Sequence, residues 1–517
     1  MPVVTKKYAN LYRDSVSLMQ LSSRLTALKG IRQASVVMAT QANLDLLEEA
    51  GLPVPDAAVS PNDMLVVVEG ADQDILKDAI ALVDLELVNE NHSEDGERPK
   101  LAPRSIQMGA AMNPDTNLAL ISVPGEYAAA ETRKALNLGL HVMLFSDNIA
   151  KEDEISLKRL SREKGLFLMG PDCGTAIING IPLAFANVVA AGNIGLVGAS
   201  GTGLQQVTCL IDDLGGGITQ AIGTGGHDLS EMIGGITMLQ GLEALARDSA
   251  TEVIVLISKP PAPAVAERIL EAAGEVEKPV VVNFLGLEAL EDAPGNVHFA
   301  GTLESAARIS HALATGQSPG GGSTRLDSQY SEGIARARSG LGKQQKYVRG
   351  LYSGGTFCFE ATILLADLLE PIYSNTPVSA EMELPDVWKS LGHSLVDLGD
   401  DVFTRGRPHP MIDHRLRNDR ILEEAADPET AVVLMDVVLG YGSHPDPAGE
   451  MLPVITQARA AAEAENRRPV FVGFICGTKN DPQNKAVQEA RLSEAGVLLA
   501  DSNAQAVQLA AQIVGKD

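Results

Sequence analysis

The chain is expected to be an α/β protein of several domains with mostly parallel sheets. Three observations lead there. Short apolar runs alternate with helical patterns over nearly the whole length, as strand–helix–strand units require. Aromatic residues are only 4% of the composition, so the interior is aliphatic and alanine-rich, as helix-on-sheet packing prefers. A chain of 517 residues also exceeds what one hydrophobic core sustains.

In a first block, strands are expected at 35–38, 64–68, 118–122 and 142–145, with a polar excursion at 89–104. Residues 166–168 form a further strand that leads into the loop Met169-Gly170-Pro171-Asp172-Cys173-Gly174-Thr175. A second block begins near Gly192, with strands at 194–197, 218–222, 253–257 and 280–284, and ends near Thr315. Residues 317–324 are rich in Gly, Ser and Pro and read as a flexible linker, followed by a polar tether to Gln345. A third block runs from Lys346 to Gly515, with strands at 347–351, 394–397, 431–435, 470–474 and 497–500. The expected division is therefore 1–190, 191–316, a linker at 317–345, and 346–517.

Charge and cysteine content narrow the function. Lys+Arg number 41 against 67 Asp+Glu, a net −26, which argues against nucleic-acid and anionic-membrane partners. An anionic substrate must then be held by local features that overcome the global field. Cys173, Cys209, Cys358 and Cys476 form no CxxC pair and no metal spacing, which suits a reducing cytoplasm. The first residues carry no apolar signal-peptide core, and no apolar stretch reaches membrane-spanning length.

Two glycine-rich turns carry most of the functional information. Gly198-Ala199-Ser200-Gly201-Thr202-Gly203 and Ser353-Gly354-Gly355-Thr356 each follow an apolar strand and open a helix, one in each of the last two blocks. A helix that starts on small residues presents bare N–H groups and a partial positive charge, which suits a phosphate or carboxylate. Each could also be an ordinary turn with a serine cap. Together they suggest one anion held between two helix tips. His227, in Gly223-Thr224-Gly225-Gly226-His227-Asp228, is a candidate acid/base or phosphate contact, or a plain loop residue. His409 lies between two prolines, shortly after Arg405 and Arg407, which suit bidentate carboxylate or phosphate contacts. A metal site at Asp400, Asp401 and His409 has no diagnostic spacing. Lys259 ends a strand, where ligands of open α/β sheets bind.

Several longer motifs carry a family resemblance. Asp14-Ser15-Val16-Ser17-Leu18-Met19, Leu144-Phe145-Ser146-Asp147-Asn148, the loop from Met169 to Thr175, the turn from Gly198 to Gly203, Leu256-Ile257-Ser258-Lys259-Pro260-Pro261 and the stretch from Arg407 to Asp413 resemble the FdrA family of acyl-CoA synthetase-like proteins over almost the whole chain. The first half is more distantly similar to the succinyl-CoA synthetase α subunit, in Gly170-Pro171-Asp172-Cys173 and Ser200-Gly201-Thr202, and the third block to the ligase domain of the β subunit. The resemblance implies a Rossmann-like, CoA-binding-like domain at 1–190 and flavodoxin-like ligase domains at 191–316 and 346–517. It also implies that the helices opening at Gly201 and Gly354 point at one phosphate. Three departures stand out: Asp14 to Ser17 lacks the glycines of a CoA-binding loop, no histidine follows the strand at 280–284, and no ATP-grasp domain is recognisable.

Members of this family have been linked to oxamate carbamoyltransferase in allantoin (purine) degradation, where oxalurate and phosphate give oxamate and carbamoyl phosphate. By resemblance, Ser200, Gly201, Thr202, Gly203, Ser353, Gly354, Gly355 and Thr356 would bind phosphate. Arg405, Arg407 and Lys259 would orient the carboxylate, and His409 and then His227 would handle protons. Phosphate is then a substrate and no cofactor is certain, CoA being a possible one. The partner chains would be other subunits of a hetero-oligomeric enzyme, or copies of this chain. The alternatives are a succinyl-CoA ligase-type synthetase that uses a phosphohistidine, and a non-catalytic scaffold subunit.

Overall fold

The computed structural model describes residues 1–54, 59–89, 103–287, 292–320, 326, 328–405 and 407–515. Most of the expected excursion at 89–104, half of the linker at 317–324 and part of the turn after 280–284 lie outside these residues.

Residues 1–89 form β1 (Val3–Tyr8), α1 (Ser15–Thr26), β2 (Ile31–Met38), α2 (Gln41–Glu49), β3 (Met64–Gly70) and α3 (Gln73–Asn89). β3 is central and antiparallel to both neighbours, in the order β1-β3-β2. It is buried on both faces: Met64, Val66 and Val68 face one apolar cluster, Leu65 and Val67 another. A run buried on both faces looks the same in parallel and antiparallel sheets, so the expectation of parallel pairing fails here.

Next come α4 (Ile106–Met112), β4 (Leu118–Ile121), α5 (Gly125–Asn137), β5 (His141–Leu144), α6 (Lys151–Glu163) and β6 (Leu168–Met169), with β4-β5-β6 a separate parallel sheet. The span expected to be one Rossmann-like domain thus holds two sheets. The hairpin β7 (Thr175–Ile178) and β8 (Ile181–Ala184) belongs to neither, because β7 pairs with β10 (Ile218–Gly223) of the next sheet.

That next sheet also contains β9 (Ala191–Gly198), β11 (Val253–Ser258), β12 (Val280–Phe284) and β13 (Val297–Phe299), in the order β13-β12-β11-β9-β10-β7-β8. Its helices are α7 (Gly201–Asp213), α8 (Ile236–Arg247), α9 (Pro263–Gly274) and α10 (Leu303–Ala314). After α11 (Ser331–Gly340), the last sheet has β14 (Tyr347–Tyr352), β15 (Ile372–Ser374), β16 (His393–Asp397), β17 (Thr430–Val438), β18 (Val470–Cys476) and β19 (Leu498–Ala500), in the order β15-β16-β14-β17-β18-β19. Its helices are α12 (Gly355–Ala366), α13 (Asp401–Thr404), α14 (Arg415–Ala426), α15 (Pro447–Ala464), α16 (Lys485–Glu494) and α17 (Asn503–Val514).

The last two sheets share one plan. Leaving out the β7–β8 hairpin and β15, each is a parallel sheet with its first strand between its second and third. The helix after each first strand, α7 or α12, packs beside the last helix of its own half, α10 or α17. The two helix layers meet, α7 on α12 and α10 on α17, around one apolar core that takes Ile194, Leu204 and Val207 from one half and Val348, Phe357 and Leu365 from the other. α12 is apolar almost all round and α7 is buried from Thr202 to Ile211, as helices enclosed on every side must be. Crevices at the carboxyl ends of such strands are where open α/β sheets hold ligands, and this pairing turns two of them toward each other.

Candidate functional site

The amino ends of α7 and α12 touch. Ser200 Oγ and Thr356 Oγ1 share a hydrogen bond of 2.6 Å. A Cβ on Gly354 would lie 3.0 Å from Thr202 Cγ2, and one on Gly355 would collide with Asp397 Oδ2, so this approach needs glycine at both places. The first N–H groups of any helix lack partners within it. Those of Gly201, Thr202, Gly355 and Thr356 make no other hydrogen bond among the described residues.

Three of the expected phosphate ligands have their donors occupied. Ser200 Oγ caps α7 by accepting from Gly203 N–H at 2.9 Å. At α12 the turn is filled by a carboxylate of the fold itself. Asp436, on β17, accepts from Ser353 N–H at 2.8 Å, Ser353 Oγ–H at 2.9 Å and Gly354 N–H at 2.8 Å. Gly203, Ser353 and Gly354 therefore shape the site instead of offering it N–H donors. Asp436 is balanced by buried Arg417, whose Nη1 donates to Asp436 Oδ1 at 3.1 Å and to its carbonyl oxygen at 2.6 Å. His414 sits behind Arg417 and stays neutral, because burial and that guanidinium hold its pKa well below the usual value.

Around the tips lie several titratable groups. Lys259, half-buried at the end of β11, has no ion-pair partner among the described residues. Its ammonium lies 3.4 Å from where a Gly355 Cβ would be and 5.9 Å from the Phe359 ring centre. Asp397, at the end of β16, is 6% exposed; Oδ1 accepts from Gly399 N–H at 2.9 Å, whereas Oδ2 accepts no hydrogen bond among the described residues and is not sealed from solvent. Burial raises its pKa to about 6, with Lys259 pulling the other way. Asp172 reaches solvent from a left-handed turn (φ +55°), yet crowding by the surrounding protein raises its pKa to about 6, as the floor of a concave surface would. Asp147 and Asp401 push in the same direction, while His227 and Lys259 oppose them.

The two candidate histidines part company. His409 Nδ1 accepts from Met411 N–H at 3.2 Å, so the neutral ring carries its proton on Nε2. A Cβ placed on Gly399 would lie 2.8 Å from that Nε2, 3.0 Å from Ser353 O and 3.1 Å from Asp397 Oδ1, which puts His409 beside the α12 turn. Burial lowers its pKa to about 4, so near neutral pH it is a hydrogen-bond donor and not a cation. His227 is 61% exposed at the rim, and Glu154, 3.7 Å away, raises its pKa. Its loop is anchored by buried Lys158 of α6, which donates to Thr224 O at 2.8 Å, Asp228 Oδ1 at 2.7 Å and Thr237 Oγ1 at 3.1 Å.

The expected arginines are not gathered in. The Arg407 guanidinium stacks over the Trp388 ring at 5.8 Å, and Arg405 is exposed beyond α13. Neither touches the helix-tip cluster among the described residues.

Family models match three stretches: a CoA-ligase family over 351–513, a CoA-binding domain over 190–286, and an AllF heavy metal-associated domain over 1–103. The Escherichia coli K12 protein YahF, itself uncharacterised, is 45% identical over 514 residues, covering 98% of each chain. The chain belongs to the FdrA family. An Archaeoglobus fulgidus succinate–CoA ligase α subunit is 29% identical over 188 residues, 35% of this chain and 62% of that one. Among solved structures, a dinucleotide-forming acetyl-coenzyme A synthetase of Ca. Korarchaeum cryptofilum, in complex with phosphate and ADP, aligns over 86% of this chain and 93% of its own at 14% identity and a TM-score of 0.35.

This FdrA protein is thus acyl-CoA synthetase-like and succinate–CoA ligase-like, with mixed α/β architecture and mostly parallel sheets. No helix among the described residues is long and apolar enough to cross a membrane. The CoA-binding match falls on the half that carries α7, not on 1–190 where the sequence suggested a CoA-binding-like unit. The amino end of α1 does not suit the diphosphate of CoA, because Asp14 occupies it, accepting from Ser17 N–H at 3.0 Å and Ser17 Oγ–H at 2.6 Å. The heavy metal-associated match contains no cysteine, and the described residues show no metal-binding cluster there or elsewhere. Sequence reasoning passed over Asp436, Arg417 and Asp397 as site residues. The available signal was charge where none is expected: one aspartate inside the otherwise apolar run Ala431 to Val438, and another closing β16.

Proposed function

We propose that the joint between α7 and α12 is a phosphate and acyl-phosphate site, and that this FdrA protein catalyses acyl transfer of the succinate–CoA ligase type. The observation that carries this reading is the 2.6 Å contact between Ser200 Oγ and Thr356 Oγ1. It brings the open N–H groups of two helices onto one point beside the Lys259 ammonium, which has no ion-pair partner among the described residues. Oriented donors in a partly dry cleft stabilise a phosphoryl oxyanion or the oxyanion of an acyl adduct. Gly201, Thr202, Gly355 and Thr356 would hold the anion, His409 Nε2–H would donate to it, and Lys259 would balance its charge. His227 stands at the mouth. Arg407 would meet a substrate carboxylate only by leaving Trp388, and Arg405 would join it from the exposed end of α13. The CoA-ligase and CoA-binding matches support CoA as the acyl acceptor.

A second reading is phosphate-dependent carbamoyl transfer, oxalurate and phosphate giving oxamate and carbamoyl phosphate. One observation favours it: no histidine lies between Val280 and Val297, so the turn after β12 offers no residue to carry a phosphoryl group. A phosphate oxygen that attacks the ureido carbonyl directly needs no such carrier.

The test follows labelled inorganic phosphate with the full chain, alone and with any chains that copurify. With succinyl-CoA supplied as acyl donor, label entering succinyl phosphate as CoA leaves, and in reverse thioester formed from succinyl phosphate and CoA with release of phosphate, are expected for ligase-type transfer. Carbamoyl phosphate formed from oxalurate without CoA would decide for the second reading. Calorimetry that detects no phosphate binding would sink both.

A further inference from the structure

Resting on that phosphate site, we propose that Asp397 is its proton-carrying acid: it takes up a proton as the anion enters and donates a hydrogen bond to it through Oδ2. The geometry forces a choice. Oδ2 lies against the place a Gly355 Cβ would take, beside the N–H groups that would hold the anion, and nothing among the described residues donates to it. An ionised carboxylate there would face the incoming oxyanion at contact distance, which is strongly unfavourable for a side chain only 6% exposed. A neutral carboxylic acid at the same place supplies one more donor.

The groups facing Asp397 allow this. Lys259 approaches from the end of β11, with no carboxylate in ion-pair contact among the described residues. On β17, Asp436 is fixed by Arg417 and the turn at Ser353. His409 is neutral, and Cys358 on α12 remains a thiol, its pKa raised to about 12. Asp400, three residues on, disfavours a second negative charge. The free carboxyl, with a pKa of about 6, is mostly ionised at pH 7 but close enough to its titration point for a modest shift to protonate it. Two charges settle the balance on loading: the anion brings negative charge, and Lys259, now shared with it, helps Asp397 less.

The test is calorimetry of the full chain with sulfate, which neither gains nor loses protons near neutral pH, in buffers of different ionisation enthalpy. Wild type is expected to take up about one proton per sulfate at pH 7. Its affinity is expected to fall about tenfold per pH unit above pH 6 and to level off below it, where the free carboxyl already carries the proton. Asp397→Asn is nearly isosteric and keeps a donor. It is expected to bind sulfate with no proton uptake and a flat pH profile, while its circular dichroism and thermal midpoint show it folded. Sulfate binding without proton uptake in wild type overturns the assignment and leaves the phosphate site standing. Uptake that survives Asp397→Asn but vanishes in Asp172→Asn overturns it too. If wild type binds neither sulfate nor phosphate, the site and the acid fail together.

Discussion

The amino ends of α7 and α12 begin alike and end differently. Both follow the first strand of the same sheet plan, and both open on small residues. At α7 a serine hydroxyl caps the helix and the first two N–H groups stay open. At α12 the cap is a glycine with no side-chain bond, and the preceding turn is closed by Asp436 and Arg417. One tip is held by a single neutral hydroxyl and offers its backbone donors. The other is held by a buried ion pair, and the acid and the neutral imidazole, Asp397 and His409, lie beside it. A glycine-rich turn is therefore not by itself an open anion cradle: the fold can supply the anion.

The largest test removes that ion pair. Arg417→Met leaves Asp436 buried and uncompensated, a change that costs about 3–5 kcal/mol. Thermal unfolding of the full chain should shift down by roughly 10 °C. Adding Asp436→Asn should recover part of the loss, because the orphaned charge goes. A shift of only a degree or two for the single variant would mean that the α12 turn stands without its carboxylate, and the contrast between the two tips would collapse.

A smaller effect separates the tips as ligand surfaces. Gly355→Ala puts a methyl group onto Asp397 Oδ2, whereas Gly201→Ala meets nothing closer than Thr175 Oγ1 at 3.2 Å. Overpacking of the first kind costs about 1–3 kcal/mol, so phosphate affinity should drop about tenfold or more in Gly355→Ala and about twofold or less in Gly201→Ala. Equal losses would sharpen the picture differently, by making both tips equally intolerant of a methyl group.

Much of this was legible in the chain. Turns of small residues between an apolar strand and a helix have a local signature, and both fall where the sequence placed them. Their convergence follows from the repeated sheet plan, because each turn sits beside the central strand of its half. What the sequence hid was non-local. Asp436 is more than eighty positions from the Ser353 it binds, and no local pattern links them. Lys158 and Asp228 meet across seventy. Arg405 and Arg407 looked like substrate clamps through composition alone, whereas the partner that decides Arg407's place, Trp388, lies in a different loop. The first sheet misled for another reason: burial on both faces fixes that a strand is central, not which way its neighbours run.

The smallest effect concerns the imidazole beside α12. His409 titrates near 4 in the folded chain and near its ordinary 6.5 when unfolded, so between those values the unfolded chain binds a proton that the native one refuses. Native stability from this residue is complete above pH 6.5 and is lost as the pH falls toward 4. Asp397 and Asp172 act in the opposite sense below pH 6, because the native chain holds their protons more tightly than the unfolded one. The wild-type acid limb is therefore a sum of opposed contributions and says little alone. The difference between wild type and His409→Gln isolates the histidine, since glutamine stays neutral throughout and keeps an N–H donor. Measured by denaturant unfolding, the variant should gain on wild type steadily from pH 6.5 to 4 and run parallel to it above. Parallel curves over the whole range would mean that the imidazole accepts its proton freely in the native state. The donor assigned to the α12 side would then be a cation in acid, and the two tips would differ less than the geometry indicates.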